Sequence, residues 1–181
     1  MPEIKRYKVT EPWLDSHCGL GEAPFWEQDT NTLRFVDIVK KQLHTVDLDQ
    51  GPPSHKMTQL EIAVGTTADI EGNADEFVFG GKAGYGIMNK KTHQWRYIKK
   101  YWNETEVAEG KEQRMRGNDG AVDAAGRYYV GTMNDPLVTE PSEEGMSFVR
   151  RGGLRFVQSL LLTFGCTRPY RRTNGALLTD A

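Results

Sequence analysis

Two cysteines in 181 residues, Cys18 and Cys166, cannot build a disulfide framework. Long apolar runs are absent, and no stretch reaches the length that spans a bilayer. The opening residues, MPEIKRYKVTEPW, lack the apolar core of a secretory signal. These three absences lead to the expectation of a soluble, cytoplasmic protein. Neither sign of charge dominates: 23 Lys and Arg stand against 25 Asp and Glu, a formal net charge of -2. A global basic footprint for nucleic acid or an anionic membrane is therefore excluded. Charged residues at 27% and hydrophobic residues at 38% also exclude a collagen-like or wholly disordered chain. Glycine (19 residues) and aromatics (10%) are plentiful, a pairing that favours many turns and short strands over long helices.

The charge is unevenly placed. Residues 150–181 hold six arginines, no lysine and one acidic residue, Asp180, for a net +5, which leaves -7 on residues 1–149. The expected organisation is residues 1–149 as one β-rich unit and residues 150–181 as an atypical basic tail. Such a switch in composition marks a tail, a small second domain or a stretch unlike the rest. The apolar run Leu160 to Leu162 argues against reading it as a nucleic-acid-binding arm, since such arms are more polar.

Alternation of apolar and polar residues appears at Leu33–Ile38 and again at Leu43–Leu48, with a turn at Lys40-Lys41-Gln42 between them. The same grammar recurs at Glu76–Gly81, Gly84–Met88, Trp95–Ile98 and Arg127–Thr132. Three comparable strands start near Leu33, Glu76 and Arg127, at steps of 43 and 51 residues. A turn-and-strand unit at that period predicts an all-β fold of β-propeller blades; a β-sandwich or meander is the alternative. About three such units precede the tail.

Three segments carry residue types suited to chemistry. In Cys18-Gly19-Leu20-Gly21-Glu22-Ala23-Pro24-Phe25-Trp26, a carboxylate follows two glycines at the mouth of a strand. That placement suits a hard cation, or plain solvation. In Arg114–Gly120, Asn118-Asp119-Gly120 reads as a tight turn. Read as extended instead, Arg116 and Asn118 project to one side, where a guanidinium and an amide hold a polyhydroxylated or carboxylated ligand. Asp119 then points the other way. Gly131–Pro136 ends a strand and is placed to form a loop over a pocket. The four histidines, His17, His44, His55 and His93, show no metal-ligand spacing. Cys18 reads as a small buried residue, since only the adjacent His17 is near it in sequence. Asn103-Glu104-Thr105 fits a glycosylation acceptor by chance.

GEAPFW, LRFVDI and RMRGNDGAVDAAGRYYVGTM together resemble the gluconolactonase/regucalcin (senescence marker protein) family over roughly residues 12–148. The resemblance implies a six-bladed β-propeller, truncated here to about three blades plus the tail. It implies one divalent cation, Ca²⁺ or Zn²⁺ first, with Mg²⁺ or Mn²⁺ possible. It also implies a small sugar lactone as partner, opened to its aldonic acid, with neither nucleic acid nor membrane involved. Glu22 matches the family's first metal ligand, and Arg116 and Asn118 match substrate-contacting positions. Where the family often has a substrate-touching Glu, this chain has Pro136, with Asp135 one step before as a stand-in. The expected Asp base lies beyond this chain. Asn174-Gly175 is a candidate for the family's Asn-Gly ligand pair, though its surroundings, Arg171-Arg172-Thr173, do not look like the family strand, and Asp180 lies too close to it to be the base. A shifted frame or mis-predicted exon near residues 146–152 is expected to account for the tail. The competing readings are a non-enzymatic calcium-binding or interaction propeller and an inactive truncated product.

Overall fold

Period-two alternation gives a strand one apolar face, and a strand with one apolar face must pair and then stack to bury it. That requirement organises the whole chain. The computed structural model describes residues 6–150 and 154–157. β1 (Gly21–Glu27), β2 (Thr32–Asp37), β3 (Gln42–Asp47) and β4 (Lys56–Gln59) form the first antiparallel sheet in chain order. β5 (Val64–Ile70), β6 (Asn73–Gly81), β7 (Gly84–Asn89) and β8 (Trp95–Lys100) form the second in the same way. Two short helices follow, α1 (Glu104–Ala108) and α2 (Lys111–Arg114). β9 (Met115–Val122), β10 (Tyr128–Asn134) and β11 (Ser147–Arg150) make the third sheet, in the order β11-β10-β9. The three strands that set the sequence period are β2, β6 and β10, the second strand of each sheet.

The first strands of the sheets sit against one another. β5 contacts both β1 and β9. They run the same way: Gly65 of β5 lies against Asn118 of β9, and Thr66, one residue later, lies against Gly120. The Thr66 hydroxyl donates to the Gly120 carbonyl at 3.3 Å. The approach is so close that a Cβ on Gly65 would fall 2.1 Å from the Asn118 carbonyl oxygen, so only glycine fits there. An all-β, propeller-like arrangement results, with the starts of β1, β5 and β9 gathered at one end.

Two cores lie between the sheets. Val36, Leu43, Val64, Phe77, Phe79 and Met88 join the first sheet to the second. Val78, Tyr85, Ile87, Met115, Tyr128 and Val130 join the second to the third. Arg34 adds a polar clamp between the first two sheets. It is only 1% exposed, with its guanidinium carbon 4.6 Å from the centre of the Phe25 ring and 4.2 Å from that of Phe77. It pairs with Glu27 and, at 3.0 Å, with Asp69, while Lys90 reaches the same two carboxylates. Two cations thus face two anions, which is the condition for keeping charge inside.

Of the two readings of residues 118–120, the extended one holds. Asn118-Asp119-Gly120 is not a tight turn but the middle of β9. Asn103 caps α1 through a reciprocal capping box with Glu106. β12 (Phe156–Val157) pairs with the free edge of β5, and Phe156 is buried at 3% exposure. The rest of the tail, with Leu160–Leu162, Asn174 and Asp180, lies outside the described residues.

Candidate functional site

The second residue of each innermost strand faces the same end of the fold: Glu22 on β1, Gly65 on β5 and Arg116 on β9. Arg116 is 4% exposed. Burial pulls its pKa below the ordinary arginine value, and the negative charges of Asp135 and Glu22 oppose that shift. Arg116 therefore feels both carboxylates, from β1 and from the end of β10. Its Nη1 donates to Asn118 Oδ1 at 2.9 Å and to the Gly117 carbonyl at 3.0 Å. Arg116 and Asn118 share a side of β9, as i and i+2 on an extended segment must. Asp119 turns away, exposed, and accepts a bond from the neighbouring Gly120 N–H.

Antiparallel pairing puts Met133 opposite Arg116, which brings Asp135 to the mouth of β9. Asp135 is buried, and its N–H donates to the Arg114 carbonyl at 2.7 Å. Lys82, in the short β6–β7 turn, donates to Asp135 Oδ2 at 2.8 Å and to the Gln113 carbonyl at 2.9 Å. Burial works to raise the Asp135 pKa, and the Lys82 bond, the Leu137 N–H and the charges of Lys82 and Arg116 together bring it below the usual carboxylate range. Asp135 is thus engaged by Lys82 and adds negative charge near Arg116 rather than presenting a free carboxylate. Pro136 follows it into the turn. The segment after β10 is tied down by Asn134, whose Oδ1 accepts from the Ser142 N–H and hydroxyl, both at 2.8 Å.

Glu22 is exposed at the mouth of β1. Its carboxylate offers one hard oxygen ligand set. Among the described residues no three His, Cys, Asp or Glu side chains converge on one point. Calcium takes six to eight oxygens and zinc four ligands, so the described residues do not make a closed cation site on their own.

The polar groups brought together are Glu22, Arg116, Asn118 and Asp135, with Lys82 added. Lys82 carried no signal in the sequence, because a lysine in a Gly-Lys-Ala-Gly turn looks like ordinary surface. A second cluster, Cys18 with His44 and His55, was also missed. His44 Nε2 lies 3.7 Å from Cys18 Sγ, which corrects the reading of Cys18 as having no histidine at an informative distance. A cavity of about 810 Å³ lies at the opposite end of β1 and β5, lined by Glu27, Arg34, Asp69 and Lys90, away from Glu22 and Arg116.

Comparison with known proteins adds the following. The sequence profile described as the SMP-30/Gluconolactonase/LRE-like region matches residues 20–161. A pentonolactonase of Haloferax volcanii is 28% identical over 120 residues, covering 66% of this chain and 36% of that protein. Human regucalcin is 29% identical over 130 residues, covering 70% of this chain and 40% of that protein. Among solved structures, regucalcin of Agrobacterium tumefaciens, described as a calcium-binding protein, superposes with a TM-score of 0.61 at 19% identity, over 78% of this chain and 43% of that one. That likeness speaks to fold alone. The chain spans about two fifths of the length of the curated relatives it matches.

Proposed function

The chain belongs to the SMP-30/gluconolactonase/LRE-like family, and from that membership we propose that it carries the substrate-orienting part of a sugar-lactone hydrolase, opening a lactone to its aldonic acid. The observation that carries the reading is the buried Arg116 guanidinium, bonded to Asn118 and within reach of the charges of Glu22 and Asp135. A guanidinium and an amide fixed side by side match the ring ester and hydroxyls of a lactone. Their contribution is positional, holding the ester in one orientation for attack. Asn118 is half-buried, and its Oδ1 is already engaged by Arg116, so its Nδ2 is the donor turned to substrate. Glu22 supplies one carboxylate to a divalent cation, calcium or zinc first, magnesium or manganese next. Among the described residues no three ligating side chains converge to complete its coordination. In this reading the whole propeller has six blades, of which these residues supply about three.

The test is acid release from gluconolactone and from pentonolactones by the full chain, in Ca²⁺, Zn²⁺, Mg²⁺ or Mn²⁺ separately. Turnover above spontaneous ring opening is expected with at least one ion. Asn118→Ala should lower it by about a hundredfold, the loss that a misplaced reactant produces. A rate equal to spontaneous opening with every ion would sink the hydrolase reading. Calcium binding by calorimetry that survives Asn118→Ala, without turnover, would put the non-enzymatic reading in its place.

A further inference from the structure

Near the entry to β1 three side chains form a chain of contacts that the lactone reading does not use. Cys18 is half-buried, and its sulfur lies 3.7 Å from His44 Nε2. His44 is 1% exposed, and its Nδ1 lies 2.8 Å from His55 Nε2. The Phe35 ring stacks on His44 with centroids 4.7 Å apart, and the His55 ring lies parallel to His44 with centroids 5.1 Å apart, so the imidazole plane is fixed. The Ser16 hydroxyl donates to the Cys18 sulfur at 3.3 Å. In the tautomer where His44 Nδ1–H donates to His55 Nε2, the His44 Nε2 lone pair faces the thiol. This is a nucleophile, a base and a residue that orients the base.

A metal fits the cluster poorly. Only Cys18 and His44 Nε2 face a common point, because His44 Nδ1 is turned to His55, and zinc takes three or four protein ligands. A thiol and a base need no more than two. We propose that Cys18 is a nucleophilic thiol that reacts with small hydroperoxides, with His44 as its base and His55 as the residue that positions His44. The half-buried sulfur admits a small oxidant more readily than a bulky electrophile. In the step, the Cys18 S–H proton passes to His44 Nε2 and the thiolate attacks one peroxide oxygen. The S–O bond forms and the O–O bond breaks. The leaving hydroxide takes the proton from His44 and departs as water. The sulfur is oxidised by two electrons to a sulfenic acid and the peroxide is reduced.

The charged and titratable groups facing His44 are Cys18, His55, Asp37 and Lys40. Burial holds the His44 pKa below the ordinary histidine value, with His55 and Lys40 acting in the same direction and Asp37 opposing them. The base form of His44 therefore persists below pH 6.5.

The experiment treats the full chain with limiting hydrogen peroxide, traps sulfenic acid with dimedone, and maps peptides so that Cys18 and Cys166 are read separately. Cys18 in the folded chain should be trapped about a hundredfold faster than in the urea-unfolded chain, the low end of what a positioned base supplies. The rate should be level near neutrality and fall only as His44 gains its proton. His55→Leu should cost about tenfold, the low end for losing an orienting partner of a histidine. His55→Gln, which keeps an acceptor for His44, should restore most of the rate. A folded rate no faster than the unfolded one, or equal losses in His55→Leu and His55→Gln, would overturn the proposal. The folded-against-unfolded comparison on the unaltered chain stands even where a variant fails to fold.

Discussion

Arg116 is a charge in a buried place, and its surroundings decide what the site tolerates. Two carboxylates offset its burial, but they are not equivalent. Asp135 is buried and also binds Lys82, whereas Glu22 is exposed and adds charge from a distance. Asp135→Asn should therefore destabilise the fold by about 2 kcal/mol, because Lys82 loses its ion-pair partner and buried Arg116 loses a nearby negative charge. Glu22→Gln should stay within about 0.5 kcal/mol of the parent, as exposed substitutions usually do. Urea unfolding of the two variants checks this, and equal losses would contradict the division of labour. Placement that sits close in sequence was legible: Glu22 at the start of β1, and Arg116 two residues before Asn118 on the same side of β9. The Cys18–His44–His55 chain was not, since its members are separated by 26 and 11 residues and only the β2–β3 hairpin and its flanking loops bring them together. Asp135 was read as a stand-in for a substrate contact. Its bond to Lys82 is a second feature of this residue, which no sequence window containing one of the two residues discloses.

At the scale of the element, the strands divide into those the sequence announces and those it hides. β2, β3, β6, β7 and β10 have the alternation or apolar density that a sheet face demands, and they stand within a few residues of where that pattern puts them. β5 and β9 carry little such signal. Their sequences, VGTTADI and MRGNDGAV, are rich in small and polar residues. The physical reason is the contact between innermost strands, where backbones approach too closely for large side chains. Gly65 shows this directly, with an added Cβ 2.1 Å from the Asn118 carbonyl oxygen and 2.9 Å from that of Gly117. Gly65→Ala must push β5 and β9 apart, because the obstacle is backbone. A loss of about 2 kcal/mol is expected, in the range of overpacked cores. Because the clash is with Asn118 itself, lactone turnover should fall alongside stability. A Gly65→Ala chain with the parent's unfolding midpoint would show that the inner strands are not held at this distance.

For the whole molecule, acid is the condition that tests how the sheets are held, because the relevant shifts all point one way. Burial lowers the pKa of His44 on the first sheet below its ordinary 6.5, so the folded chain resists a proton that the unfolded chain accepts. Stability from His44 is then present above pH 6.5 and is lost as pH falls through its lowered folded value. Carboxylates act next. At Asp37, burial raises the pKa, but N–H groups of Lys40, Gly19 and Leu20 outweigh it and leave the group below its ordinary 3.8. Glu144, bonded first of all by Arg114, is lowered from 4.5 to about 2. Their stabilisation is present above the unfolded values and disappears as pH drops from about 4.5 towards 2. Stability should therefore fall in two stages on acidification, a histidine stage below pH 6.5 and a carboxylate stage below about 4.5. His44→Gln should be less stable at neutral pH, since it breaks the stack with Phe35 and His55, yet its stability should hardly change between pH 7 and pH 5, where the parent declines. The measurement is the urea midpoint at half-unit steps of pH for both chains. Parallel slopes across that interval would mean that His44 does not carry the first stage, and that the acid response of this fold belongs to its carboxylates alone.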